Sequence, residues 1–133
     1  MKAKLIIAAS ILLLLCLGLI SWAEGPGGAP KYNPANEVTL KGVVQEVKDF
    51  QCPVSGGMGA HLVVKAEKGP VTVHLALSKF LSEYGFGFAK GDEVQIIGAK
   101  AKVGDDENAI LARQVERGNQ VFTFRSKDGK PLW

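Results

Sequence analysis

Residues 37–48 read EVTLKGVVQEVK, from Glu37 to Lys48, and this stretch decides the fold. Val38, Leu40 and Val44 share one strand parity, while Val43 and Val47 share the other. An apolar pattern that changes face within one strand belongs to a long, bent strand. Gly42 stands where the change occurs, and a glycine there predicts a bulge or a sharp coil. Small closed barrels need such a strand, because it serves both halves of the sheet.

Working outward, residues 61–67 and 71–77 alternate with period two around Lys68-Gly69. Leu62, Val64 and Ala66 point one way in the first run; Val71, Val73, Leu75 and Leu77 do so in the second. This is the pattern of a half-buried antiparallel hairpin. Residues 49–60, with Pro53, Gly56, Gly57 and Gly59, are expected to be a loop. Residues 78–84 predict a short helix capped by Ser78 and ended by Gly85, with Phe80, Leu81 and Tyr84 facing the core. Lys90-Gly91-Asp92 is a turn, residues 93–103 a fourth strand, 104–108 a polar turn and 109–116 a fifth strand. A further strand is expected at residues 121–125, then a tight turn at Asp128-Gly129 before Pro131-Leu132-Trp133.

The expected fold class is therefore mainly β: a five-stranded OB-fold-like Greek-key barrel with one short helix between strands 3 and 4, plus a C-terminal strand. A small β-sandwich is the rival, and the helix before Gly85 argues against it. Residues 37 to about 117 resemble an OB-fold, and Lys90-Gly91-Asp92-Glu93-Val94-Gln95-Ile96-Ile97-Gly98 is similar to the fourth strand of many such domains. With its leader, the chain resembles the exported bacterial OB-fold proteins of the periplasm, in a functionally uncharacterised branch. The block Gly56-Gly57-Met58-Gly59-Ala60-His61-Leu62 and the ending Gly129-Lys130-Pro131-Leu132-Trp133 resemble uncharacterised exported proteins. These resemblances imply a fold and a compartment, but no activity.

The leader is residues 1–23. Lys2 and Lys4 precede residues 5–20, which are apolar except for Ser10, Cys16 and Gly18, and Ser21-Trp22-Ala23 follows. Charge, apolar stretch and small-x-small is the order of a signal peptide cut after Ala23. Residues 5–20 are shorter than the roughly 20 a membrane-spanning helix needs, so no stable span is expected after cleavage. Cys16 follows Leu15, where a lipoprotein signal would carry a small residue. The expected location is periplasmic or secreted. Residues 24–36, rich in glycine and proline, read as a flexible tether, and residues 37–133 as the folded domain.

The formal net charge of the chain is +3. Losing Lys2 and Lys4 with the leader lowers it by two. Phosphate-backbone binding relies on a clear basic excess, so nucleic acid is disfavoured as a partner. Only Cys52 remains after cleavage, which excludes an internal disulfide and leaves the core to hold the domain together.

In OB-like barrels, ligands lie on the outer face of strands 2 and 3. With Leu62, Val64 and Val73 inward, the outward set is His61, Val63, Lys65, Thr72, His74 and Ala76. His61, Lys65, Thr72 and His74 are thus the expected binding face, open to water. If Lys68-Gly69 is the turn, His74 lies opposite Val63 and His61 opposite Ala76. The histidines are then diagonal neighbours, with Cβ atoms about 7 Å apart. The preceding loop adds Cys52 and Met58. Cys52, Met58, His61 and His74 form a soft donor set suited to copper, or to zinc without the methionine. The alternative is that Met58 packs, the histidines are solvated and Cys52 is an incidental thiol.

Catalysis finds no motif. There is no nucleophile elbow, and Gly56-Gly57-x-Gly59 precedes a strand rather than a helix, which a phosphate loop requires. Asp105, Asp106 and Glu107 read as solvated turn charges. Lys65, Lys100, Lys102, Arg113 and Arg117 could line a groove for single-stranded nucleic acid or an acidic polymer, but strands 2 to 5 contain no aromatic residue for base stacking. The expectation is an exported, non-enzymatic binding domain whose partner is a small ligand, a metal or an exported protein, with a copper or zinc site as the main alternative.

Overall fold

The computed structural model describes residues 30–133; the expected signal peptide and residues 24–29 of the tether lie outside the described residues. Six strands form the framework: β1 (Glu37–Cys52), β2 (Gly57–Ala66), β3 (Gly69–Leu77), β4 (Glu93–Val103), β5 (Asp106–Arg117) and β6 (Gln120–Thr123). One helix, α1 (Ser78–Glu83), follows β3. The order across the sheet is β3-β2-β1-β4-β5-β6, and a parallel pairing of β3 with β5 closes the first five strands into a ring. This is the expected class: a β barrel with a helix between strands 3 and 4 and a strand appended at the C-terminal end.

The long first strand serves both halves of the ring. Residues 37–43 pair with β4, and residues 42–52 pair with β2. The register shift falls between Val44 and Glu46 rather than at the expected Gly42. Val44 turns its backbone to the Gly91-Asp92 turn instead, donating to Asp92 O at 2.9 Å and accepting from Gly91 N at 2.8 Å. Gly42 has a different task. A Cβ there would fall 2.5 Å from the Lys65 carbonyl oxygen, so the glycine permits a close backbone approach.

The expected loop at 49–60 is mostly strand. β1 continues to Cys52 and β2 begins at Gly57, leaving only residues 53–56 as the connection. Glycine composition suggests a loop here, but Gly57 and Gly59 are ladder residues opposite Cys52 and Phe50. The hairpin turn is Glu67-Lys68, one residue earlier than expected, with Ala66 paired to Gly69.

The barrel interior is aliphatic. Leu62, Val64, Val73, Leu75, Ile96 and Ile110 are buried there together with Phe124. Fully burying each such side chain contributes about 1.5–3 kcal/mol. α1 packs against β2 and β3 through Leu81 and Phe80. Tyr84 is exposed instead of facing the core, because Gly85, at φ +66, ends the helix and turns the chain so that Phe86 covers the site. Ser78 does not cap the helix; its hydroxyl donates to Asp49 at 2.7 Å.

The C-terminal segment returns across the barrel. Phe122 and Phe124 enter the core, and Arg125 is buried between the rings of Tyr32 and Trp133. Tyr32 also donates to Glu37, which accepts two hydrogen bonds from Arg113. Residues 30–36 of the expected tether are thereby fastened to the domain, with Asn33 capping a short 3-10 turn (Pro34–Asn36).

Candidate metal centre

The site follows from strand parity and two glycines. On β2, Gly57, Gly59 and His61 share the face opposite to Leu62 and Val64. On β1, Lys48, Phe50 and Cys52 stand directly across from His61, Gly59 and Gly57. Since Gly57 and Gly59 have no side chains, Phe50 and Cys52 can lean across the ladder. The Phe50 ring stacks on His61, with centroids 3.6 Å apart and planes 6° from parallel. A Cβ on Gly59 would fall 3.2 Å from His61 Cε1, 3.3 Å from Cys52 Cβ and 2.5 Å from Ser55 Oγ. The glycine therefore lets these three residues approach one another closely.

His61 and His74 are directly opposite each other on β2 and β3. The expected diagonal arrangement is corrected by the earlier turn, which sets an unbroken register from Ala66 opposite Gly69 to His61 opposite His74. Their rings meet edge to face, with centroids 4.6 Å apart. The Sγ of Cys52 lies 3.3 Å from Nδ1 of His74. One donor atom from each of Cys52, His61 and His74 lies within 4.8 Å of the other two.

The expectation that the histidines face water is also corrected. Both stand on the outer side of the sheet by parity, but His61 is 1% and His74 5% exposed, and Cys52 is 5% exposed. The physical reason is the length of β1 and β2. Phe50 at the end of β1 stacks on His61, Cys52 meets His74, and Val54 and Ser55 of the connection line the pocket beside them, covering what would otherwise be open surface. The small pocket they line, with Val54, Ser55 and Ala76, has no volume for a water molecule.

The other expected site residues do not join. Met58 pairs with Gln51, on the opposite face from Gly59 and Cys52, and is 47% exposed. Strand alternation removes it from the donor set. Lys65 is exposed and pairs with Pro70 beside the hairpin turn, and Thr72 is half-buried opposite Val63. At about 3.3 Å per residue, Lys65 stands some four residues along β2 from His61. His61, Lys65, Thr72 and His74 therefore do not make one open face.

Burial keeps both imidazoles neutral. It is the main cause that pushes His74 down to about 4, with His61 beside it adding to the effect. His61 is lowered by burial as well, and the backbone of Gly59 and Lys48 and the Asp49 carboxylate oppose this. None of these gives Nδ1 of His61 a hydrogen bond: among the described residues that atom is buried without a partner. An orphaned buried acceptor or donor costs about 1–3 kcal/mol. A buried imidazole close to a thiol and a second imidazole is also what a soft metal ion needs. About 3.5 Å separates N and S donors around one tetrahedral ion, and the Cys52–His74 pair already stands near that separation. Cys52, His61 and His74 thus form a group that could hold a metal.

Sequence reasoning missed Phe50 and Gly59. Phe50 shares the parity of Cys52, which is a signal only once residues 49–52 are read as strand.

The sequence profile of the MamS/MamX magnetosome protein family matches residues 36–122. The chain belongs to this family. The matched span of the MamS/MamX family begins just before β1, contains Cys52, His61 and His74, and ends in β6 at Phe122. Comparisons with curated proteins and with solved structures return no match. Membership of the MamS/MamX family thus stands in place of the expected periplasmic OB-fold family, which the comparisons do not support.

Proposed function

We propose that this chain is an exported, non-enzymatic domain that holds one metal ion, copper or zinc, at Cys52, His61 and His74. The observation that carries this reading is the Nδ1 of His61, buried without a partner among the described residues, on a residue that brings a ring nitrogen within 4.8 Å of donor atoms of Cys52 and His74. A structural core would have supplied it with a hydrogen-bond partner or replaced it with an aliphatic residue. The soft donor set suits copper and zinc and is ill-matched to magnesium or calcium. Burial of all three donors supports a holding role over catalysis, which needs an open coordination position.

Export rests on residues 1–23 and their order of charge, apolar stretch and small residues. No helix among the described residues is long and apolar enough to cross a membrane. The magnetosome association in the family's name is proposed for this chain as well.

The test is equilibrium titration of the exported chain with Cu(I), Cu(II) and Zn(II). One equivalent of copper or zinc should bind, with affinity falling at least about 100-fold in His74→Ala and in Cys52→Ser. Absence of stoichiometric binding, or binding unchanged by His74→Ala, would remove the metal. Mass measurement of the exported chain should place its first residue at Glu24.

A further inference from the structure

The geometry points to a one-electron copper centre at Cys52, His61 and His74, with electrons entering and leaving through the Phe50 ring. This inference rests on the metal-binding reading above and deepens it.

The first step is the choice of metal. Structural zinc takes four protein ligands, and catalytic zinc takes three with a water in the fourth position. Here the group of histidine, cysteine and acidic donors numbers three among the described residues. Met58, the one further donor the sequence offered, is on the other face. A set of two histidines and one cysteine in trigonal arrangement is the ligand pattern of copper sites that transfer electrons. Copper is held by the same three atoms in both oxidation states, so little has to move when an electron leaves.

The second step is access. A protein that hands its metal to another must present a ligand to the receiving site, and none of the three donors is more than 5% exposed. An electron requires no such opening. Phe50 lies flat on the His61 imidazole, at 3.6 Å between centroids and 6° between planes. The Phe50 residue is 40% exposed. One stacked ring therefore separates a ligand of the proposed copper from solvent.

The reaction is the loss of one electron from Cu(I) to a one-electron acceptor. It leaves Cu(II) on the Cys52 thiolate and the two imidazoles, and a one-electron donor reverses it. No bond to the protein forms or breaks and no proton moves.

The experiment uses the chain as recovered after export, loaded with Cu(I). One equivalent of hexacyanoferrate(III) serves as acceptor and ascorbate as donor. Oxidation should produce a visible thiolate-to-Cu(II) charge-transfer band and a Cu(II) paramagnetic resonance signal, and ascorbate should bleach both over repeated cycles. Phe50→Leu keeps an apolar cover without the stacked ring. With its Cu(I) affinity measured alongside, its rate of oxidation per bound copper should fall several-fold. Oxidation that expels copper, or that consumes the Cys52 thiol without the band, overturns the redox role while leaving metal binding intact. A Phe50→Leu variant oxidised at the parent rate overturns the Phe50 path. Failure to bind copper or zinc at all removes both this inference and the reading on which it rests.

Discussion

The indole of Trp133 donates from Nε1 to the carbonyl oxygen of Ser55 at 3.3 Å, tying the end of the chain to the connection between β1 and β2. Ser55 in turn donates to the carbonyls of Cys52 and Gly57. The segment that covers the Cys52–His61–His74 group is thus fastened from outside by a residue 78 positions away in sequence.

Trp133→Ala removes this hydrogen bond, worth about 1 kcal/mol, and one face of the Arg125 sandwich, worth about 0.5–1 kcal/mol. Trp133 also packs on the edge of the core beside Phe80, but the buried aliphatic interior of Leu62, Val64, Val73, Leu75 and Ile96 lies beneath it. Local opening of residues 53–56 should therefore become about tenfold more populated while the sheet persists. The measurement is the rate at which Cys52 reacts with an aromatic disulfide reagent, with circular dichroism as control for the fold. An unchanged thiol rate would show that Trp133 does not hold the cover closed.

Gly59→Ala tests the close approach of the donors. The new methyl would press on His61 Cε1 and Cys52 Cβ, and would displace the Ser55 hydroxyl from its two acceptors. Overpacking of this kind costs about 1–3 kcal/mol, and metal affinity should fall at least tenfold as the donors are spread. Gly57→Ala is the control. Its methyl would meet only a Leu77 methyl at 3.2 Å, so metal affinity should hold. Chelator competition and urea unfolding separate the two effects. Equal affinity in Gly59→Ala and the parent would show that the donors need no such approach.

How far the site was legible in sequence depends on the kind of signal. Periodicity located β3, β4 and the inward set Leu62, Val64 and Val73, because alternation reports which face meets the core. It also placed His61 and His74 on one side of the hairpin. It could not report their burial, since that depends on Phe50, Cys52 and the 53–56 connection, which pack against the rings from elsewhere in the chain. Gly57 and Gly59 misled for the same reason. A glycine in a loop and a glycine under a leaning phenylalanine look alike until the partner strand is known. Met58 and Cys52 seemed equivalent as loop residues and separated once residues 57–61 were recognised as ladder, where neighbours alternate faces. The exact pairing of the histidines turned on a hairpin turn shifted by one residue, which Glu67-Lys68-Gly69 leaves open in sequence.

Glu37 gives the domain a pH dependence of definite sign. Its hydrogen bonds from Arg113 first, and from Tyr32 second, hold its carboxyl below the ordinary range of 4.5. A carboxyl lowered in the folded state stabilises the fold at pH values above the unfolded one and loses that contribution as pH falls through the folded one. Glu37→Gln should therefore cost about 1–2 kcal/mol at neutral pH. The difference from the parent should shrink as pH falls below the ordinary carboxylate range. Urea unfolding at neutral and at acid pH checks this. A deficit independent of pH would mean that shape, and not charge, is what Glu37 contributes.

Arg125 is the one buried cation described in the domain, and it has no carboxylate beside it. Its guanidinium lies 5.4 Å from the Tyr32 ring centre and 4.8 Å from that of Trp133, and donates to Gly129 O at 2.9 Å. Its Nε has no partner among the described residues. The planar, weakly hydrated guanidinium tolerates this setting because it offers a flat face to each ring. The compact ammonium of lysine does not stack and keeps its hydration, so Arg125→Lys should cost about 2 kcal/mol although charge is conserved. Arg125→Met fills a similar volume without a buried charge, and replacing buried ions by apolar groups is often neutral. Arg125→Met should thus unfold at a higher temperature than Arg125→Lys, by roughly 4–8 °C for each kcal/mol between them in a domain of this size. A lysine variant as stable as the parent would show that the two rings contribute nothing through the cation, leaving the packing of Trp133 alone to secure the C-terminal segment.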